Sequence, residues 1–217
     1  MKGFVFSLAL PRTRRQKPDL KRFLHRYGLY ALFAGLLLLG LALGAVYARN
    51  ADKGTLRALD LLFTTNLDAR LSQSPVGTFC ACFASDFLFL LGAFLLGAAA
   101  WGIPFLAALV CFKGFGTGVT AGWLCVCHAL RGAGFYLLVL RPGTFVFCTA
   151  LIGFAGAAHR FSARQLWRFV GRAQPPLAPK EELARFGSRF VSALGVTFLA
   201  SLLDTLLWTL FAGTFTL

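Results

Sequence analysis

The chain has 217 residues, of which 58% are hydrophobic and 14% charged, and its formal net charge is +14. Soluble domains are typically about 45–50% apolar and about 25% charged. A separate catalytic domain needs at least ~50 residues, more than either long segment between the apolar runs, 49–77 or 159–189, can supply. The basic charge also argues against nucleic acid as a partner, because of where it sits. Eight of the 22 Lys and Arg precede Gly28, and seven lie between Arg160 and Arg189. Basic clusters flanking apolar spans orient a chain in the membrane and touch anionic lipid.

Residues 1–26 begin with a short apolar patch, Phe4 to Leu10, closed by Pro11. Arg12, Arg14, Arg15, Lys17, Lys21, Arg22 and Arg26 follow. The segment reads as a cytoplasmic tail, either solvated or lying as an amphipathic element on anionic lipid. The first span is predicted over 27–48. At 1.5 Å per residue it covers a hydrocarbon core of about 30 Å, and its apolar part is too long for a signal peptide.

Segment 49–77 balances Arg49, Lys53, Arg57 and Arg70 against Asp52, Asp60 and Asp68, which suits the outer face. Leu56, Leu59, Leu62 and Phe63 recur at helical spacing, so an interfacial helix is expected there. The second span, 78–100, contains Asp86. Trp101-Gly102-Ile103-Pro104 forms a tight turn into the third span, 103–128, which carries Lys113.

A second turn is expected at Arg131-Gly132-Ala133-Gly134. The fourth span, 134–158, then has Arg141-Pro142 near its middle, where proline removes a helical hydrogen bond and predicts a kink or two half-helices. Residues 159–189 read as a basic cytoplasmic loop containing the linker from Gln174 to Pro179. The fifth span, 190–215, contains Asp204.

Four spans separate the two basic segments, so both fall on one side. This is the arrangement the positive-inside rule requires. The expected fold is therefore all-α: one polytopic bundle over 27–217 with five transmembrane helices, the N-terminus cytoplasmic and the C-terminus outside.

Asp86, Lys113, Arg141 and Asp204 all fall at predicted membrane depth. One such charge costs roughly 2.5–3.5 kcal/mol on insertion scales. Two acids and two bases can neutralise one another, and pairs such as Asp86 with Arg141, or Lys113 with Asp204, are open. The charges either fix helix contacts or mark a proton, ion or substrate path. Gly114, Gly118 and Gly122 form a stripe at helical spacing that lets another helix approach closely. That helix belongs to this chain or to a second copy, and a homo-oligomer is one arrangement the stripe allows. Thr117 and Thr120 flank it and can hydrogen-bond across the contact.

Sequence signals for catalysis are missing. There is no Ser-His-acid set, no H-E-x-x-H and no phosphate loop, and His25, His128 and His159 stand at span ends. A non-enzymatic protein without cofactor or metal is expected. The six cysteines (Cys80, Cys82, Cys111, Cys125, Cys127 and Cys148) read as small apolar residues. Redox or metal use of the Cys80-x-Cys82 and Cys125-x-Cys127 pairs is the lesser reading.

Gly102-Ile103-Pro104, then Lys113-Gly114 with Gly118, Thr120 and Gly122, a short glycine turn and Pro142 in the next span together resemble the stage II sporulation protein M family. Pro104 and Pro142 join the glycines and Lys113 as the residues that carry the likeness. It is best over 78–160. One departure is that Pro142 is followed by Gly143-Thr144-Phe145-Val146-Phe147 in place of a Pro-His-Gly-x-x-Glu-like pattern.

The resemblance implies a scaffold in the mother-cell membrane at the sporulation septum. It would recruit the peptidoglycan-degrading stage II sporulation proteins D and P during forespore engulfment. The alternative is a small permease-like subunit working with a separate ATPase, motivated by the buried charges and Pro142.

Overall fold

The computed structural model describes residues 20–50, 74–135, 141–171 and 179–211. They form five α-helices in chain order: α1 (Leu20–Ala48), α2 (Pro75–Ala98), α3 (Ile103–Phe135), α4 (Arg141–Phe169) and α5 (Pro179–Phe211). Each contains a stretch long and apolar enough to cross a membrane: Tyr27–Ala48, Pro75–Ala98, Ile103–Trp123, Pro142–Phe169 and Lys180–Leu210. The expected all-α architecture of five spans is the observed one. The expectations for the segment before Leu20, for the helix around Leu56 to Phe63 and for the linker over 172–178 lie outside the described residues.

Four boundaries differ from the sequence reading, each for a local reason. First, α1 starts at Leu20, inside the basic tail, because neither proline nor glycine lies between Leu20 and Tyr27 to stop it. Second, α2 starts at Pro75. Ser74 caps it by accepting from the Gly77 amide at 3.2 Å, and proline suits the first helical position.

Third, the expected turn at Arg131 to Gly134 is helical, since α3 runs on to Phe135. A glycine inside a helix costs only about 1 kcal/mol. Arg141-Pro142 open α4 and do not lie at the middle of a span. A proline in the first turn gives up an amide that has no helical partner anyway, so it starts a helix and does not kink one. Fourth, the expected loop 159–189 is largely helix. α4 continues through Phe169 and α5 begins at Pro179, with Glu181 and Glu182 in its first turn.

α1 packs chiefly on α3, while α2, α4 and α5 pack on one another. A shared core joins the two groups: Phe33 and Leu37 of α1, Leu90 of α2, Leu106 and Val110 of α3, and Phe147 and Leu151 of α4. At one end of the bundle Phe186 of α5 stacks on Phe94, Phe154 and Phe161, with ring centroids 5.1, 5.4 and 4.5 Å apart. The α2–α3 turn lies at the same end. A Cβ on Gly102 would collide with the Leu96 carbonyl, so only glycine fits the turn. Ser162 of α4 donates to the Ala99 carbonyl at 2.6 Å and fastens the turn to the bundle.

Candidate functional site

The site begins with the α1–α3 contact, because that contact fixes the face of α3 that Lys113 occupies. A Cβ on Gly114 or Gly118 would overlap the carbonyl oxygen of Leu37 or Leu41, and one on Gly122 would lie 2.7 Å from the Ala48 Cβ. The stripe is therefore covered by α1 of the same chain. The contact is reciprocal: Cβ atoms on Gly40 and Gly44 of α1 would overlap the carbonyls of Cys111 and Phe115. Missing side chains on both helices let the backbones touch, the close approach that small residues permit between membrane helices. Thr120 closes on its own helix, donating to the Gly116 carbonyl at 3.1 Å, and Thr117 donates to the Gly114 carbonyl at 2.7 Å.

With α1 on that face, Lys113 turns toward α2 and α4. Its Nζ lies 2.7 Å from Asp86 Oδ1, and the two side chains are 6% and 16% exposed. Neither of the pairings left open in the sequence is this one. The ammonium also lies 4.7 Å from the centroid of Phe89 and 4.9 Å from that of Phe147. Each ring presents electron density to the cation, so Lys113 ties together α2, α3 and α4.

Asp204 lies about one helical turn away, against residues four positions before Asp86 and Phe147. Cys82 Sγ lies 3.9 Å from Asp204 Oδ2. A Cβ on Gly143 would come 2.9 Å from Asp204 Oδ1, so Gly143 makes room for the carboxylate beside the first turn of α4. The amide end of a helix favours a negative charge. Arg141 heads that turn of α4; its side chain is outside the described residues. Pro104 lies in the first turn of α3 and Pro142 in that of α4, so both act as helix starts.

Three features were overlooked in the sequence. Gly40 and Gly44 carry a spacing as plain as that of the α3 stripe. Thr197, Ser201 and Thr205 repeat every four residues on α5, all buried, each bonding the carbonyl four residues back at 2.9–3.0 Å. Glu182 is 4% exposed and receives two arginines of α4: Arg164 Nη1 at 2.9 Å and Arg168. Only the first two had a signal, small residues at helical spacing; Glu182 looks like any acid in a first turn.

Of the described cysteines, Cys82 and Cys148 are buried and Cys80 is exposed. Among the described residues, no three of His, Cys, Asp and Glu are grouped to hold a metal ion.

The arrangement can neutralise charge and lock three helices together. No curated protein and no solved structure matches the chain. The sequence profile of the family described as Stage II sporulation protein M matches residues 30–213, from the first turns of α1 to beyond the end of α5. By that match, which takes in all five helices, this integral membrane protein belongs to the stage II sporulation protein M family.

Proposed function

We propose that the protein is a non-enzymatic membrane scaffold that anchors peptidoglycan-degrading partners during forespore engulfment. The observation supporting this reading is the closed contact of Lys113 with Asp86 at 2.7 Å, with the rings of Phe89 and Phe147 against the ammonium. A lysine engaged by an acid and two aromatic rings stiffens a bundle. A carrier of ions or protons needs such a group to exchange partners. The partners in this reading are the family's stage II sporulation proteins D and P. Both basic ends face the cytosol, the C-terminus faces outward, and the protein sits in the mother-cell membrane at the septum.

The test is affinity purification of the tagged chain from solubilised membranes of sporulating cells. Proteins D and P are expected in the eluate, and an eluate without either would remove the scaffold reading. The second reading, a permease-like subunit, is favoured by the ionisable residues Asp86, Lys113, Arg141 and Asp204 within or at the ends of apolar helices. It requires solute flux in liposomes together with an ATPase, and Lys113→Ala would abolish that flux while assembly survived.

A further inference from the structure

Arg160, Arg164 and Arg168 of α4 are spaced four residues apart, so they share one side of the helix. Arg160 donates to the Tyr30 hydroxyl of α1, and its guanidinium lies 5.2 Å from the centroid of that ring. Arg164 Nε donates to the Arg160 carbonyl at 3.2 Å, and Arg164 and Arg168 both reach Glu182. Two of the three guanidiniums thus share one carboxylate while Arg160 engages a neutral hydroxyl, leaving a surplus of positive charge. Arg160 is exposed, and the Arg164 side chain is 46% exposed. Trp167, seven residues beyond Arg160, completes the face at 48% exposure.

Depth follows from two separate measures. The apolar stretch of α4 begins at Pro142. At 1.5 Å per residue, about 20 residues cross a ~30 Å hydrocarbon core, which brings the boundary close to Ser162. The apolar stretch of α1 begins at Tyr27, one turn from Tyr30, which holds Arg160. Both measures put Arg160 and Arg164 at headgroup level, where Tyr and Trp also concentrate.

We propose that this ridge binds the headgroup phosphate of an anionic glycerophospholipid between α1 and α4. Arginine presents a planar fork of donors that matches phosphate oxygens in pairs. Tyr30 holds the Arg160 fork and Glu182 those of Arg164 and Arg168 before lipid arrives, which reduces the ordering cost of binding. Trp167 supplies an amphipathic ring at the interface beside the lipid.

The experiment is native mass spectrometry of the full-length chain in detergent micelles, titrated with an equimolar mixture of phosphatidylglycerol and phosphatidylcholine. Phosphatidylglycerol is expected to be retained in preference. Arg160→Gln and Arg164→Gln are each expected to reduce that preference roughly fivefold, the weight of one basic residue at a membrane surface. Arg189→Gln, an exposed arginine of α5, is expected to keep it.

Equal retention of the two lipids by the unaltered chain would overturn the proposal, as would an unchanged preference in the double variant. Displacement of bound lipid by equimolar inorganic phosphate would overturn the lipid assignment. An unchanged melting temperature in lipid-free micelles marks each variant as folded. Should Arg160→Gln melt early, Tyr30→Phe replaces it, because it removes only the hydroxyl that steadies Arg160. Full preference in Tyr30→Phe would then count against the site.

Discussion

Gly118 of α3 lies directly against the Leu41 carbonyl of α1, with no room between them for a single Cβ atom. Any side chain there must push two backbones apart along a contact that includes Gly40, Gly44, Gly114 and Gly122. Gly118→Leu is therefore expected to destabilise the chain itself, by at least the ~1–3 kcal/mol typical of overpacking. Thermal unfolding in detergent measures it. Gly153→Ala is the control: a Cβ at Gly153 meets nothing within 4 Å, and alanine favours a helix over glycine, so its melting temperature should not fall.

Lys113 and Asp86 provide a test of their partnership. Lys113→Ala removes the cation and strands a carboxylate that is 16% exposed. Breaking a buried pair in this way costs about 3–5 kcal/mol, whereas replacing both members by apolar residues of similar size is often neutral. The double variant Lys113→Met with Asp86→Leu should hence unfold at a higher denaturant concentration than Lys113→Ala alone. A double variant as unstable as the single one would show that the two groups are not coupled.

Glu182→Gln should loosen the end of the α4–α5 pair. The change removes the negative charge between Arg164 and Arg168 and leaves the two guanidiniums facing each other. Hydrogen bonds to charged groups contribute about 1.5–3 kcal/mol each, and the partial exposure of Arg164 lowers the figure on its side. Faster amide exchange confined to 160–170 and 180–190 is the expected signature. Uniform exchange across all five helices would point to global destabilisation instead.

The orientation is open to a labelling experiment. In a cysteine-free background, Lys17→Cys and Ser188→Cys should react with an impermeant maleimide from the same side of the membrane. Reaction from opposite sides would contradict an even number of crossings between them and remove the basis for assigning both basic ends to the cytosol.

The span number was legible because apolar runs of more than 20 residues have few other uses, and each run became one helix. The helix ends were harder, since Gly132 and Gly134 looked like a turn and Pro142 like a kink. Glycine only weakens a helix, while proline is well placed at its start. The glycines accordingly stay within α3, and the proline stands in the first turn of α4.

Lys113 stood out because charge at that depth is costly. Its partner was in reach of simple counting. Asp86 precedes the α2–α3 turn by nearly as many residues as Lys113 follows it, so the two stand at similar depth. What counting could not supply was the rotation of each helix about its axis. That depends on α1 covering the glycine face, a fact of packing between segments far apart in the chain.

The brevity of the link from Ala98 to Ile103 shapes how this protein enters a bilayer. Two helices joined so tightly travel as one hairpin, and that hairpin holds both Asp86 and Lys113. The lysine does not have to meet lipid alone, because its counter-charge arrives in the preceding helix. Insertion of α2 and α3 together is electroneutral at the point where separate insertion would carry the heaviest penalty.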